Sequence, residues 1–152
     1  MKLLNFLILS VLVSCSQSNE SPENLATNVL RSYVDTFFKV KSIGDIQNLT
    51  KLTSTSLKDE LLKIDQKMFD EIFVKSQLEF KGFKIRDRRQ VGENRYSFIY
   101  EIQMVSMRGG RHTEINKKIA FVTKDGANNW TLAEVRNINS TISYSNEMSI
   151  VP

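Results

Sequence analysis

Few residues in this 152-residue chain can do chemistry. The lone cysteine, Cys15, follows Leu12-Val13-Ser14 and closes an apolar run that begins at Leu3. The lone histidine, His112, comes just after the expected turn Arg108-Gly109-Gly110-Arg111. Residues beside hairpin turns usually face water, so His112 reads as a surface residue. Asp35 falls between Val34 and Phe37 in a helical pattern, where it reads as a solvated carboxylate within i±4 reach of Arg31 or Lys39. Asp87 and Glu101 fall in strand patterns and can face either way. A buried base needs a raised pKa and a partner, and neither is visible in a sequence. There is no G-x-S-x-G, phosphate loop or G-x-G-x-x-G. Zinc wants Cys and His in number, and no run of spaced carboxylates fits calcium. No metal and no cofactor is expected.

The first segment has the parts of a secretory signal. Lys2 supplies the positive start, Leu3 to Val13 the apolar stretch, interrupted by Asn5 and Ser10, and Ser14 the small residue before a cut. As a helix this stretch rises about 16 Å, against a hydrocarbon core of about 30 Å. It can engage a secretion channel but makes a poor span. Residues 1–14 are therefore expected to be a signal peptide that is removed.

Leu12-Val13-Ser14-Cys15 resembles the lipobox of bacterial lipoprotein signals, over about the first sixteen residues. The resemblance implies cleavage between Ser14 and Cys15, a diacylglyceryl group on the Cys15 sulfur, and often an acylated amino terminus. Each buried methylene contributes about 0.8 kcal/mol, and stable anchoring takes two chains. The chain would then be a lipid-anchored cell-envelope protein whose lipid on Cys15 holds it to the membrane. Residues 15–21 are polar and read as a tether. Ser16 is not Asp, which under enteric-type sorting points to the outer membrane, facing the periplasm. With no second cysteine, no intramolecular disulfide can form.

Net charge is +4, and the basic excess lies in the second half of the chain. On an alternating strand, Lys84, Arg86 and Arg88 share a face. They form either an anion-binding face for lipid head groups, lipopolysaccharide or an acidic protein, or a solvated face that discourages edge pairing. The second is the simpler reading. Nucleic acid is not an expected partner outside the cytoplasm.

Two periodicities divide the remaining chain. Ser21 caps a first helix, with Pro22 at its first position and Glu23 complementing its dipole. Leu25, Val29, Leu30, Tyr33, Val34, Phe37 and Phe38 make its apolar face, Lys39 and Lys41 its last turn, and Gly44 a left-handed stop. Asp45 starts a short helix to about Leu52. Ser56 with Asp59 resembles a capping box and opens a helix to about Lys75, with Leu57, Leu61, Ile64, Met68, Ile72 and Phe73 inside. Four strands follow. The first, about Leu78 to Val91, is interrupted at Gly82. The second puts Tyr96, Phe98, Tyr100, Ile102 and Met104 on one face. The third does the same with Ile115, Ile119 and Phe121, after a turn at Arg108–Arg111. The fourth starts near Trp130, with Leu132 and Ile138 beside it, and Ile142 and Tyr144 extend it. The last residues, 145–152, read as a frayed tail.

Helices followed by an antiparallel meander make a single α+β domain over residues 22–144. This order, the Gly44-Asp45 step and the closing strand at Trp130 resemble the nuclear-transport-factor-2-like (cystatin-like) superfamily. The resemblance implies a bent sheet wrapped around the first helix and a conical apolar pocket, with Gly82 and Gly92 permitting the bend. Tyr33, Phe37, Tyr100 and Trp130 would then line the pocket, although such aromatics are more often plain core. The expected function is a non-catalytic module that binds a small apolar ligand or an envelope protein. Two alternatives stay open. One is an isomerase- or dehydratase-like pocket enzyme using Asp35, Asp87 or Glu101 beside a Tyr hydroxyl. The other is a structural envelope protein that meets anionic lipid or wall polymer through its basic face.

Overall fold

The computed structural model describes residues 20–107 and 110–144. Ser14, Cys15 and most of the tether, Arg108 and Gly109 of the expected turn, and the tail 145–152 lie outside the described residues. No helix among the described residues is long and apolar enough to cross a membrane.

Helix α1 spans Pro22–Phe37 and starts as its sequence dictates, with the Ser21 hydroxyl accepting from the Asn24 N–H at 3.3 Å. Its buried face is Ala26, Thr27, Leu30, Tyr33 and Val34, while Leu25 is exposed. Gly44 is not the stop. The helix ends at Phe37, and Gly44 lies in a right-handed 3-10 turn, Ile43–Asp45, beyond Lys39 and Lys41. Asp45 does not cap α2 (Ile46–Thr50) but turns back. Its carboxylate accepts from the Lys41 and Ser42 N–H groups at 3.0 and 2.8 Å, and these bonds hold its pKa below the usual carboxylate range.

The expected long helix is broken. α3 runs Thr55–Leu62 with Ser54 at its cap position. The Asp65 carboxylate then accepts from the Met68 N–H at 2.8 Å and opens α4, Gln66–Phe69. A π-turn follows over Asp70–Val74, closed by the Lys75 N–H on the Asp70 carbonyl at 2.8 Å. An Asp that satisfies a helix's orphan N–H groups ends one helix and starts the next. The break also rotates the inner face. Leu61 and Phe69 are buried, whereas Met68 and Ile72 are exposed.

The strands β1 (Leu78–Gly92), β2 (Arg95–Ser106), β3 (His112–Lys124) and β4 (Trp130–Tyr144) form one antiparallel sheet in chain order. Tyr96, Phe98, Tyr100, Ile102 and Met104 of β2 are all buried on the helix side. On β3, Ala120 and Val122 face the core, opposite Phe98 and Tyr96. Ile115, Ile119 and Phe121 share the other face, where Arg95 lies 4.5 Å over the Phe121 ring. Register shifts break β1 at Phe80/Gly82, Ile85/Asp87 and Gln90/Gly92, and β4 around Ala133 and Ile138. Such extra residues bend and twist a strand. Ile138 is an extra residue of this kind and is exposed, so it is not beside Leu132 on the core face. The start of β4 is stitched to the helices, because the Leu132 N–H donates to Leu52 and its carbonyl accepts from Ser54.

Candidate functional site: an apolar groove at the broken helix

The break between α3 and α4 opens a groove of about 380 Å³. Phe37 closes one end of it, from α1. Leu57 and Leu61 line it from α3, Ile64 from the break, and Met68, Ile72 and Phe73 from α4 and the π-turn. Glu60 and Lys63, both exposed, are the charged residues at its rim. Its aromatic floor is cross-braced, with Phe73 5.0 Å from Phe37 and 5.2 Å from Phe69, ring centre to ring centre. π-turns inside helices often mark functional positions, and this one turns Ile72 toward the groove.

Of the four aromatics expected to line a pocket, Phe37 alone lines this groove. Tyr33 and Tyr100 are buried in the core behind it. Burial, then the charge of Glu60, pushes the Tyr33 hydroxyl up to about 12. Burial, then Tyr33, raises the Tyr100 hydroxyl as well. Trp130 lies at the far end of the sheet against Tyr96, 5.6 Å away. The groove residues from Leu57 to Phe73 were legible as an inner helix face. What hid the groove was Asp65, a cap inside a run that otherwise reads as one helix.

The candidate acids and bases are elsewhere. Asp35 is exposed and makes no ion pair with Arg31 or Lys39 among the described residues. Asp87 pairs with Arg89 at 2.8 Å. Glu101 lies on the outer face and pairs with Arg86 at 2.6 Å, and the hydrogen bond from Arg86 lowers its pKa.

His112 is not a surface residue, since it is 8% exposed. It opens β3 on the core side, opposite Ser106. Its Nδ1 lies 2.8 Å from the Gly110 carbonyl and its Nε2 2.9 Å from Glu114. Both partners accept from a charged ring, so the Gly110 carbonyl first, and Glu114 second, raise its pKa.

Lys84, Arg86 and Arg88 do not share a face. The register shift between Ile85 and Asp87 inserts Arg86 as an extra residue. Lys84 stands opposite Glu101 on the outer face, while Arg88 comes opposite Phe98 and reaches Glu23 of α1 at 2.7 Å.

No protein-family model and no curated protein matches the chain. Solved structures do. A ketosteroid isomerase-like protein from Erwinia carotovora atroseptica superposes with a TM-score of 0.51 at 10% identity, over 79% of this chain and 98% of that one. The soluble domain of TrwG, of the type IV secretion machinery of Bartonella grahamii, gives 0.50 at 15% identity, over 80% and 95%. VirB8 from Agrobacterium tumefaciens gives 0.51 at 5% identity, over 81% and 94%. At these identities the likeness is one of fold. Helices on one side of a four-stranded antiparallel meander, matched along most of the chain by these proteins, make this an α+β domain of the nuclear-transport-factor-2-like fold.

Proposed function

We propose that the chain is a bacterial lipoprotein, held to the cell-envelope membrane by lipid on Cys15, whose domain binds a small apolar ligand without transforming it. One observation carries the binding half of this reading: seven apolar side chains line the groove between α3 and α4, and its two charged lining residues, Glu60 and Lys63, are both exposed. Apolar pockets with a few polar groups at the mouth are the usual form of a small-molecule site. The placement of Asp35, Asp87 and Glu101 outside the groove favours binding over an isomerase- or dehydratase-like reaction. The anchor rests on the resemblance at Leu12-Val13-Ser14-Cys15. An envelope location also suits the fold shared with the TrwG soluble domain of a secretion machinery. The membrane and an apolar ligand are the partners in this reading, and nucleic acid is not.

The test is a titration of the full chain with a fluorescent fatty acid. Saturable binding is expected, weakened about tenfold or more, which is about 1.4 kcal/mol, by Ile72→Asp at the groove wall. Ile72 is 39% exposed, so the variant should fold. Absence of saturable binding, or equal binding by the variant, contradicts the proposal.

A further inference from the structure

A second groove, of about 420 Å³, shares no lining residue with the first. It lies between Thr27 and Arg31 of α1 and the consecutive residues Phe83 to Arg88 of the edge strand β1. Cations dominate its wall. Four cations, Arg31, Lys84, Arg86 and Arg88, and a single carboxylate, Asp87, line it. Three of these five charges are already answered, Arg86 by Glu101, Arg88 by Glu23 and Asp87 by Arg89. Arg31 makes no ion pair among the described residues, and Lys84 stands on the outer face, where its charge acts on Glu101. Arg31 is nevertheless oriented, because its guanidinium lies 5.6 Å over the Phe83 ring. Stacking on an aromatic face fixes the plane of the fork that arginine presents to an anion.

We propose that this groove binds a phosphate-bearing organic molecule, with Arg31 supplying the planar fork and Arg88, held on the helix side of β1 beside Glu23, the second cation. A phosphate offers several acceptor oxygens to two cations carried on different elements, whereas a carboxylate is matched by the arginine fork alone. The groove is much larger than an inorganic anion, and Phe83 and Ile85 give it an apolar wall for the rest of the molecule. Two sources supply this chemistry, the phosphodiester head group of a membrane lipid and a soluble phosphate ester. The site is independent of the apolar groove, so Ile72→Asp leaves it intact.

The experiment uses the full chain in a nonionic detergent. Inorganic phosphate and glycerol 3-phosphate are titrated by calorimetry. Hydrogen exchange of the segment from Phe83 to Arg88 is compared in micelles doped with phosphatidylglycerol or with phosphatidylcholine. Saturable binding of glycerol 3-phosphate, tighter than inorganic phosphate, assigns a soluble ester. Protection by phosphatidylglycerol alone assigns a lipid head group. In either arm Arg31→Gln should weaken the effect about tenfold, Arg31→Lys should recover part of it, and Arg31→Gln with Arg88→Gln should abolish it. No binding and no protection from any of these probes overturns the proposal, as does an Arg31→Gln variant that behaves like the parent.

Discussion

Arg88 on the edge strand and Glu23 in the first turn of α1 form an ion pair of 2.7 Å across the helix–sheet boundary. Strict alternation would have put Arg88 on the outer face with Lys84. The extra residue Arg86 turns it to the helix side instead. Both partners are about half exposed, and surface pairs of this kind contribute about 0–1 kcal/mol. Glu23→Gln should therefore change stability by less than about 1 kcal/mol in urea denaturation. The same variant frees Arg88 in the cationic groove, so glycerol 3-phosphate affinity should rise. A fall in affinity would place Glu23 among the groups that build the anion site.

His112 makes a pH-dependent contribution to stability. Its folded pKa lies above the unfolded value of about 6.5, because the Gly110 carbonyl and then Glu114 favour the charged ring. A raised folded pKa contributes stability that is fully present below the unfolded pKa and is lost as pH rises through the folded one. The parent should thus exceed His112→Gln by more at pH about 5.5 than at pH about 8.5 in paired denaturation curves. An equal difference at both pH values would show that the ring acts only by packing.

The core is centred on β2. Phe98 is fully buried, has its ring centre 6.4 Å from that of Tyr96 and faces Ala120 across the ladder. Phe98→Ala should cost about 3–5 kcal/mol, since it removes buried apolar surface and leaves a cavity. Ile142→Ala, at an exposed end of β4, should change stability by about 0.5 kcal/mol or less. Thermal denaturation of the two variants side by side checks the contrast.

Cys15→Ser should leave the domain folded and shift it from the membrane to the soluble fraction of its host, because both lipid chains would be lost with the sulfur. The intact mass of the parent should begin at Cys15 and carry diacylglycerol. A variant that sediments with membranes as the parent does would remove the anchor from the account.

Where a local signal acts on its own, the chain could be read directly. Ser21-Pro22-Glu23 starts α1 where expected, and the alternation from Tyr96 to Met104 marks the buried face of β2. Gly82 marks a true register shift. Elsewhere the deciding interaction lies outside the local pattern. Asp65 captures the Met68 N–H and breaks a helix whose apolar spacing runs straight through it. Gly44 looks like a helix stop, yet α1 has already ended at Phe37. One extra residue in β1 parts Lys84 from Arg88, and periodicity is blind to such an insertion. His112 follows a turn, but pairing with Ser106 and bonds to Gly110 and Glu114 bring it inside. The apolar groove exists only because of the break at Asp65, so its residues were visible as types but not as a site.

The most direct test of the binding claim is methyl NMR of the full chain, labelled at Ile, Leu and Met and titrated with dodecanoic acid. Saturable shifts are predicted at Leu57, Leu61, Ile64, Met68 and Ile72, with Ile138 and Ile142 unmoved. Shifts centred on the strands, or none at all, would contradict an apolar ligand site at the broken helix.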